Sequence, residues 1–174
     1  MRFALGSPKQ GLIALDFIII TSPLNLIAAD MTRPVTPLVA ADSIIELIDR
    51  PGNPIVLIER KNPPLGWAIP GGFVDVGERV EAAAIREALE ETRLRVRLKA
   101  LLGIYSDPAR DPRGHTVTAV YVAEASGEPQ AADDAKAFQI VTLDELPRPL
   151  VFDHAQVLED YAAFRAGGRR APLR

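Results

Sequence analysis

The run Arg86-Glu87-Ala88-Leu89-Glu90-Glu91 places three carboxylates, Glu87, Glu90 and Glu91, in five consecutive positions behind one arginine. The Ala- and Glu-rich composition around them predicts a helix over Val80 to Thr92. At about 100° per residue, such a helix gathers the three acids into an arc of about 100°. Like charges at these spacings repel by about 0.2–0.5 kcal/mol per pair on an isolated helix. Arg86, four residues before Glu90, offsets part of that repulsion, but one guanidinium cannot neutralise three carboxylates. Divalent cations with water in their shells can, and carboxylate oxygens are hard ligands suited to Mg²⁺, Mn²⁺ or Ca²⁺. The same projection puts Ala84, Ile85, Ala88, Leu89 and Thr92 on a face expected to be buried, with Glu91 at its edge.

Taken alone, EALEE also describes a solvated acidic helix face. The segment before it, PGGFVDVGE, gives it chemical meaning. Gly71, Gly72 and Gly77 permit a tight, backbone-rich loop that feeds the helix start, and such a loop can bring backbone groups against a ligand or metal.

The elements that must position these groups follow from pattern. Val39 to Asp49 reads as a half-buried strand, and Pro51-Gly52-Asn53 supplies the turn into a second strand at Ile55–Ile58. Trp67 to Val74 leads into the helix at Val80. Strand-like alternation returns at Arg95–Leu102, His115–Ala123 and Phe138–Val141. A closing helix is expected from about Asp153 to Arg165, with Asp153 as its cap. Strands paired mostly as hairpins around two helices predict an α+β layered domain with a mixed sheet.

The 174 residues, 48% hydrophobic and 25% charged, suffice for one core and one domain. A net charge of −3 leaves no positive excess for a nucleic-acid backbone. With no Cys there are no disulfides, thiolate zinc sites or cysteine nucleophiles, and two His cannot form a His-rich metal site. Residues 1–30 contain an apolar stretch interrupted by Asp16, Pro23 and Asn25, which argues against a membrane span and against a regular signal peptide. The expectation is an N-terminal extension over 1–30, a working domain over 31–166, a flexible tail over 167–174, and a cytoplasmic location with no membrane partner.

Gly72, five residues, Glu78, seven residues, then REALEETRL resembles the Nudix box of the Nudix hydrolase superfamily. The family pattern is Gly, five residues, Glu, seven residues, Arg-Glu, an apolar residue, any residue, Glu-Glu, any residue, Gly, an apolar residue. Every charged position matches; Arg93 stands where the family usually has Gly. That Gly would end the helix in a left-handed conformation, which Arg can adopt at a cost of about 1–2 kcal/mol. The resemblance implies an α/β/α sandwich with a mixed central sheet. It implies a hydrolase that splits nucleoside diphosphates linked to another moiety with Mg²⁺ or Mn²⁺. Glu90 and Glu91 would then be metal ligands and Glu87 a further ligand or the base. Arg86 would orient these glutamates, and Gly72 and Glu78 would shape the loop.

The segments YSDPARDPRGH, DDAKAF, LDELP and LVFDH resemble Nudix enzymes described as ADP-ribose pyrophosphatases. That likeness points to hydrolysis of ADP-ribose to AMP and ribose 5-phosphate. The alternatives are a pyrophosphohydrolase that sanitises nucleoside triphosphates and a non-catalytic sensor of an ADP-ribose-type ligand. Arg110 and Arg113 are the expected contacts to substrate phosphate or ribose. Asp107 and His115 are further candidates, and Asp153 has less support. His154 is expected to cap or pack, and Trp67 and Phe73 to support core or loop. Related enzymes are often homodimers, so a small-molecule nucleotide and a second copy of the chain are the partners to expect.

Overall fold

A computed structural model describes residues 34–173; the extension expected over 1–30 lies outside the described residues. Seven strands form one sheet: β1 (Leu38–Leu47), β2 (Ile55–Arg60), β3 (Trp67–Ala68), β4 (Gly71–Phe73), β5 (Arg97–Tyr105), β6 (Thr116–Ala125) and β7 (Ala135–Val141). Helix α1 (Val80–Thr92) lies between β4 and β5, and helix α2 (His154–Gly167) follows β7. The stretches expected as strands at 95–102, 115–123 and 138–141 fall on β5, β6 and β7.

The half-buried pattern expected for Val39–Asp49 is corrected by the structure: every residue from Ala40 to Leu47 is buried. β1 is a central strand that runs parallel to β6 over its full length, from Leu38↔Thr116 to Leu47↔Ala125. Parallel pairing needs a long crossover, here the chain that carries α1, and it buries both faces. On one face Ile44, Leu57, Leu102 and Val120 pack with Val157, Leu158 and Tyr161 of α2. On the other, Ala41 and Tyr121 pack with Ala83 and Ala84, and Ile45, Leu47 and Val56 with Ala88, all from α1. The result is a mixed sheet between two helices, an α/β/α sandwich.

The second edge of β1 is divided between two partners. It pairs with β2 only at Glu46↔Ile55, after which the strands part and the chain from Trp67 to Phe73 enters between them. β3 pairs with β2 at Ile58↔Ala68, β4 pairs with β1 at Asp42↔Gly71, and the Ser43 N–H donates to the Pro70 carbonyl at 2.8 Å. This split brings Asp42, Gly71, Gly72 and the far end of β2 around one hollow. The turn between β1 and β2 uses Gly52 and Asn53 in left-handed conformations, φ 76° and 44°.

Two expectations for the helices are also corrected. Ile85 of α1 is 40% exposed, whereas Ala83 and Glu91 are buried. The helix approaches the sheet through alanines, and its buried face is rotated toward the acidic arc. Asp153 does precede α2, but its side chain makes no capping hydrogen bond. Its carboxylate is taken by Arg110. Beyond Gly168, which closes α2 with φ 68°, the Ala171 N–H donates to the Leu102 carbonyl at 3.0 Å, a point of attachment to β5. Among the described residues no helix is long and apolar enough to cross a membrane.

Candidate active site

The loop before α1 is shaped by contacts that leave no space for side chains. A Cβ at Gly71 would lie 2.7 Å from the Ala41 carbonyl and collide with the Asp42 carboxylate. One at Gly72 would lie 2.5 and 2.6 Å from the two oxygens of Glu87. Backbone therefore approaches carboxylate directly, and the Gly71 N–H donates to Glu91 Oε2 at 2.9 Å. Glu91 is only 4% exposed, on the face that α1 turns to the sheet. Burial, reinforced by the neighbouring charges of Glu87 and Asp42, pushes its carboxyl up to about 8. Burial also raises Glu87, against the pull of Arg86.

Arg86 ties the acidic groups together. Its Nε and Nη2 donate to the two oxygens of Glu78 at 2.9 Å each, in a fork that matches the carboxylate plane. Nη1 donates to Glu87 at 2.7 Å and to Glu90 at 3.1 Å, and Nη2 also to the Phe73 carbonyl at 3.1 Å. These partners, Glu78 first, hold the guanidinium well above its ordinary pKa. Glu78 in turn accepts the Asp75 N–H at 3.1 Å, which fastens the loop to the helix start. Arg86 thus fixes the carboxylates of Glu87 and Glu90 without itself lining the hollow.

The hollow has a volume of about 280 Å³ and is lined by carboxylates, Glu87, Glu91 and Asp42 among them, and by the guanidinium groups of Arg60, Arg110 and Arg113. Arg110 and Arg113 both line it, but they differ. Arg110 is buried, forms a fork with Asp153 (Nε to Oδ2 2.9 Å, Nη2 to Oδ1 2.7 Å), and donates from Nη1 to Thr118 at 2.6 Å. Arg113 pairs with Asp111, Nη2 to Oδ2 at 2.8 Å, and its guanidinium carbon lies 5.5 Å from the Phe73 ring centre and 5.2 Å from that of Phe152. Arg60, from the end of β2, lies 5.2 Å from the same Phe152 ring. Burial and the nearby Arg113 lower its pKa.

Of the residues singled out from sequence, Gly72, Glu87, Glu91, Arg110 and Arg113 line the hollow, and Glu78 and Glu90 are tied to Glu87 through Arg86. Asp107 and His115 are not brought there. Asp107 Oδ1 accepts the Ala109 N–H at 2.8 Å in a local turn and borders a neighbouring hollow, while His115 is exposed with Nε2 3.2 Å from the Ser106 carbonyl. Trp67 packs against the main core, and Phe73 lines the hollow. His154 is buried there, its Nδ1 accepting the Ile69 N–H at 3.0 Å, so that Nε2 carries the proton and faces Asp42 Oδ2 at 3.4 Å.

Sequence reasoning missed Asp42, Arg60 and Phe152. Asp42 leaves a trace, a charge inside the apolar run VAADSII that a buried strand tolerates only for a reason. Phe152 lies in LVFDH, a segment of the resemblance, without being singled out there, and Arg60 leaves no trace.

Among the described residues no three acidic or imidazole side chains converge into a ready-made metal cage. Small hard cations seldom need one: Mg²⁺ is usually held by one or two carboxylates, retained waters and substrate phosphate oxygens. Glu91, nearly buried and held by the Gly71 N–H, lies beside Glu87 and Asp42, and together they supply hard oxygens and a local excess of negative charge. The donor set therefore fits a divalent cation.

A family model described as the NUDIX domain matches residues 37–161. The chain is 47% identical over 134 residues to the ADP-ribose pyrophosphatase of Methanocaldococcus jannaschii, covering 75% of this chain and 76% of that protein. The NUDIX domain of Shewanella oneidensis NrtR, solved in complex with ADP ribose, superposes with a TM-score of 0.67 at 28% identity, covering 83% of this chain and 98% of that one. A bifunctional NMN adenylyltransferase/ADP ribose pyrophosphatase of Francisella tularensis, solved with AMP and a Mn ion, gives 0.60 at 25% identity, covering 80% and 45%. With the family model matching from just before β1 into α2, and with Glu87 and Glu91 of the box lining the hollow, the chain belongs to the Nudix family.

Proposed function

We propose that this Nudix hydrolase cleaves the pyrophosphate bond of ADP-ribose, giving AMP and ribose 5-phosphate, with Mg²⁺ or Mn²⁺ as cofactor. The observation that carries the reading is that one hollow is lined both by carboxylates, Glu87, Glu91 and Asp42 among them, and by the guanidinium groups of Arg60, Arg110 and Arg113. A substrate with a pyrophosphate centre meets both requirements at once. The relationship to an ADP-ribose pyrophosphatase at 47% identity supports this choice of substrate.

The bound cation would neutralise phosphate charge and make water a better nucleophile near neutral pH. Glu91 and Glu87, which line the hollow, are the residues that would hold it, with Glu90, joined to Glu87 through Arg86, as the third carboxylate of the set. The chain does the positioning: Arg86 clamps Glu87 and Glu90, the Gly71 N–H orients Glu91, and Gly72 lets the Glu87 carboxylate lie against backbone. Water adds to one phosphorus, the bond from that phosphorus to the bridging oxygen breaks, and a carboxylate of the Glu87–Glu91 pair takes the water's proton. Arg113, which lines the same hollow, bears on the anionic substrate.

Incubation of the purified protein with Mg²⁺ and ADP-ribose, with products separated by anion-exchange chromatography, tests the proposal. AMP and ribose 5-phosphate in equal amounts are expected, and neither should form in EDTA. Turnover of nucleoside triphosphates to monophosphate and pyrophosphate, with ADP-ribose left intact, would instead identify a sanitising enzyme. Binding of ADP-ribose without product would identify a sensor.

A further inference from the structure

Between β3 and β4 the chain leaves the sheet ladder at Ile69 and Pro70 and then delivers Gly71 to the hollow. Three elements hold this gap. β1 gives the Ser43 N–H to the Pro70 carbonyl at 2.8 Å, and α1 receives the Gly71 N–H on Glu91 at 2.9 Å. The third holder is a side chain: the Ile69 N–H donates to His154 Nδ1 at 3.0 Å. The segment before α2 has already paired with β3 at that point, the Trp67 N–H donating to the Pro149 carbonyl at 2.9 Å and the Val151 N–H to the Trp67 carbonyl at 3.0 Å. His154 extends that pairing by one imidazole.

Packing accounts for the Nδ1 contact, because Ile69 is 2% exposed and a buried N–H without an acceptor is costly. It does not account for the other ring nitrogen. With Nδ1 accepting, the proton sits on Nε2, which faces Asp42 Oδ2 at 3.4 Å. Both residues are buried, and no other donor to that carboxylate is found among the described residues. An acid in the middle of a central strand is expensive unless it is paired or used. Its second oxygen lies against Gly71, where a Cβ would collide with it, and Gly71 is the residue whose N–H holds Glu91. The Asp42 and Glu91 carboxylates thus meet across one glycine, and the imidazole holds the first of them from behind.

We infer that His154 is a positioning residue of the hydrolytic site: through its Nε2–H it keeps the Asp42 carboxylate turned into the hollow beside Glu91, where that charge strengthens the hold on a divalent cation. The inference rests on the reading of the hollow as a cation-dependent site, and it is independent of which nucleotide is cleaved. Groups that orient the acids around a metal typically change affinity or activity by about 10–100-fold when removed, although they touch neither metal nor substrate.

Asparagine and glutamine separate the two ring nitrogens. Counted along the side chain, the Asn oxygen stands where Nδ1 does and the Gln nitrogen where Nε2 does. His154→Asn therefore keeps the acceptor for Ile69 and gives up the donor to Asp42, and His154→Gln does the reverse. The test is titration of Mn²⁺ into the full chain without nucleotide, free Mn²⁺ being read by electron paramagnetic resonance, with melting temperatures in EDTA. His154→Asn should weaken Mn²⁺ binding by about tenfold or more, and lower kcat for ADP-ribose by a similar factor with KM little changed. His154→Gln should melt at a lower temperature than His154→Asn yet bind Mn²⁺ close to wild type. Asp42→Asn should also weaken Mn²⁺, and adding His154→Asn to it should weaken binding no further. Each variant decides by itself if the other fails to fold: wild-type Mn²⁺ affinity in a folded His154→Asn, or a tenfold loss in a folded His154→Gln, overturns the inference. Additive losses in the double variant overturn it as well. If ADP-ribose is not cleaved but the Mn²⁺ affinities divide as expected, the function fails and the role of His154 stands. If ADP-ribose is cleaved and the Mn²⁺ affinities are equal, the role of His154 fails and the function stands.

Discussion

The carboxylate of Glu87 occupies the space that a side chain at Gly72 would need: a Cβ there would lie 2.5 Å from Oε1 and 2.6 Å from Oε2. This glycine is required for close approach, since its backbone is not in the left-handed region. Gly72→Ala must move either β4 or the Glu87 carboxylate, and Arg86 already fixes the latter at 2.7 Å. Displacing a reactive group by about 1 Å can cost about 100-fold in rate. The expected result is a folded protein, by circular dichroism, with kcat reduced by about that factor. Wild-type kcat in Gly72→Ala would show that the position of Glu87 is immaterial.

The extent to which this arrangement is legible in sequence follows from how local each part is. α1 and its acids are set by a contiguous pattern, so the helix limits and the clustering of Glu87, Glu90 and Glu91 can be read directly. The rotation of the helix against the sheet cannot: Ile85 is the larger apolar residue, yet alanines make the contact because they let the helix lie closer to β1. The rest of the hollow depends on sheet pairing. Asp42, Arg60 and Phe152 meet only because β1 and β2 separate after Glu46↔Ile55 and admit β3 and β4. Alternation along β1 likewise hides its centrality, since the parallel partner β6 lies far along the chain and both faces end up covered.

Glu91 makes the metal-free protein sensitive to pH. An acid whose folded-state pKa lies above its unfolded value keeps an extra proton in the native state between the two, so stability falls as pH rises through that window. For Glu91 the window runs from the ordinary 4.5 to about 8. The loss is on the order of a few kcal/mol, at about 1.4 kcal/mol for each pH unit the window spans. Urea unfolding in EDTA should therefore show wild type losing more stability than Glu91→Gln between about pH 5 and about pH 8.5, near the edges of that window. Saturating Mg²⁺ should stabilise wild type more than the variant, because it favours the ionised carboxylate. Parallel pH profiles for the two proteins in EDTA would contradict the assignment.

Arg93 ends α1 with φ 60° and ψ 10°, its N–H donating to the Leu89 carbonyl. Its side chain is exposed, and no side-chain partner is found among the described residues. A left-handed non-glycine residue costs about 1–2 kcal/mol, partly returned by the smaller entropy loss of Arg compared with Gly on folding. Arg93→Gly is accordingly expected to raise the unfolding free energy by about 0.5–1 kcal/mol with kcat unchanged. A clear loss of stability in urea denaturation would reveal a contact of the Arg93 side chain.

Arg110 and Arg113 look interchangeable in DPARDPRGH, but their partners separate them. The three nitrogens of Arg110 are engaged with Asp153 and Thr118, and its side chain is 4% exposed. Removing one member of a buried ion pair leaves the other charge uncompensated and costs about 3–5 kcal/mol, whereas apolar replacement of both can be nearly neutral. Arg110→Met should thus lower stability by an amount of that order, and Arg110→Met/Asp153→Leu should be more stable than Arg110→Met alone. Measured well below its melting temperature, Arg110→Met should change KM for ADP-ribose by less than about threefold, since its donors are spent within the protein. Arg113→Met should show the reverse balance, with a smaller loss of stability because that side chain is 44% exposed, and a larger rise in KM. Unfolding curves and steady-state kinetics on the two variants decide the matter, and a stable Arg110→Met enzyme with a sharply raised KM would return Arg110 to the substrate.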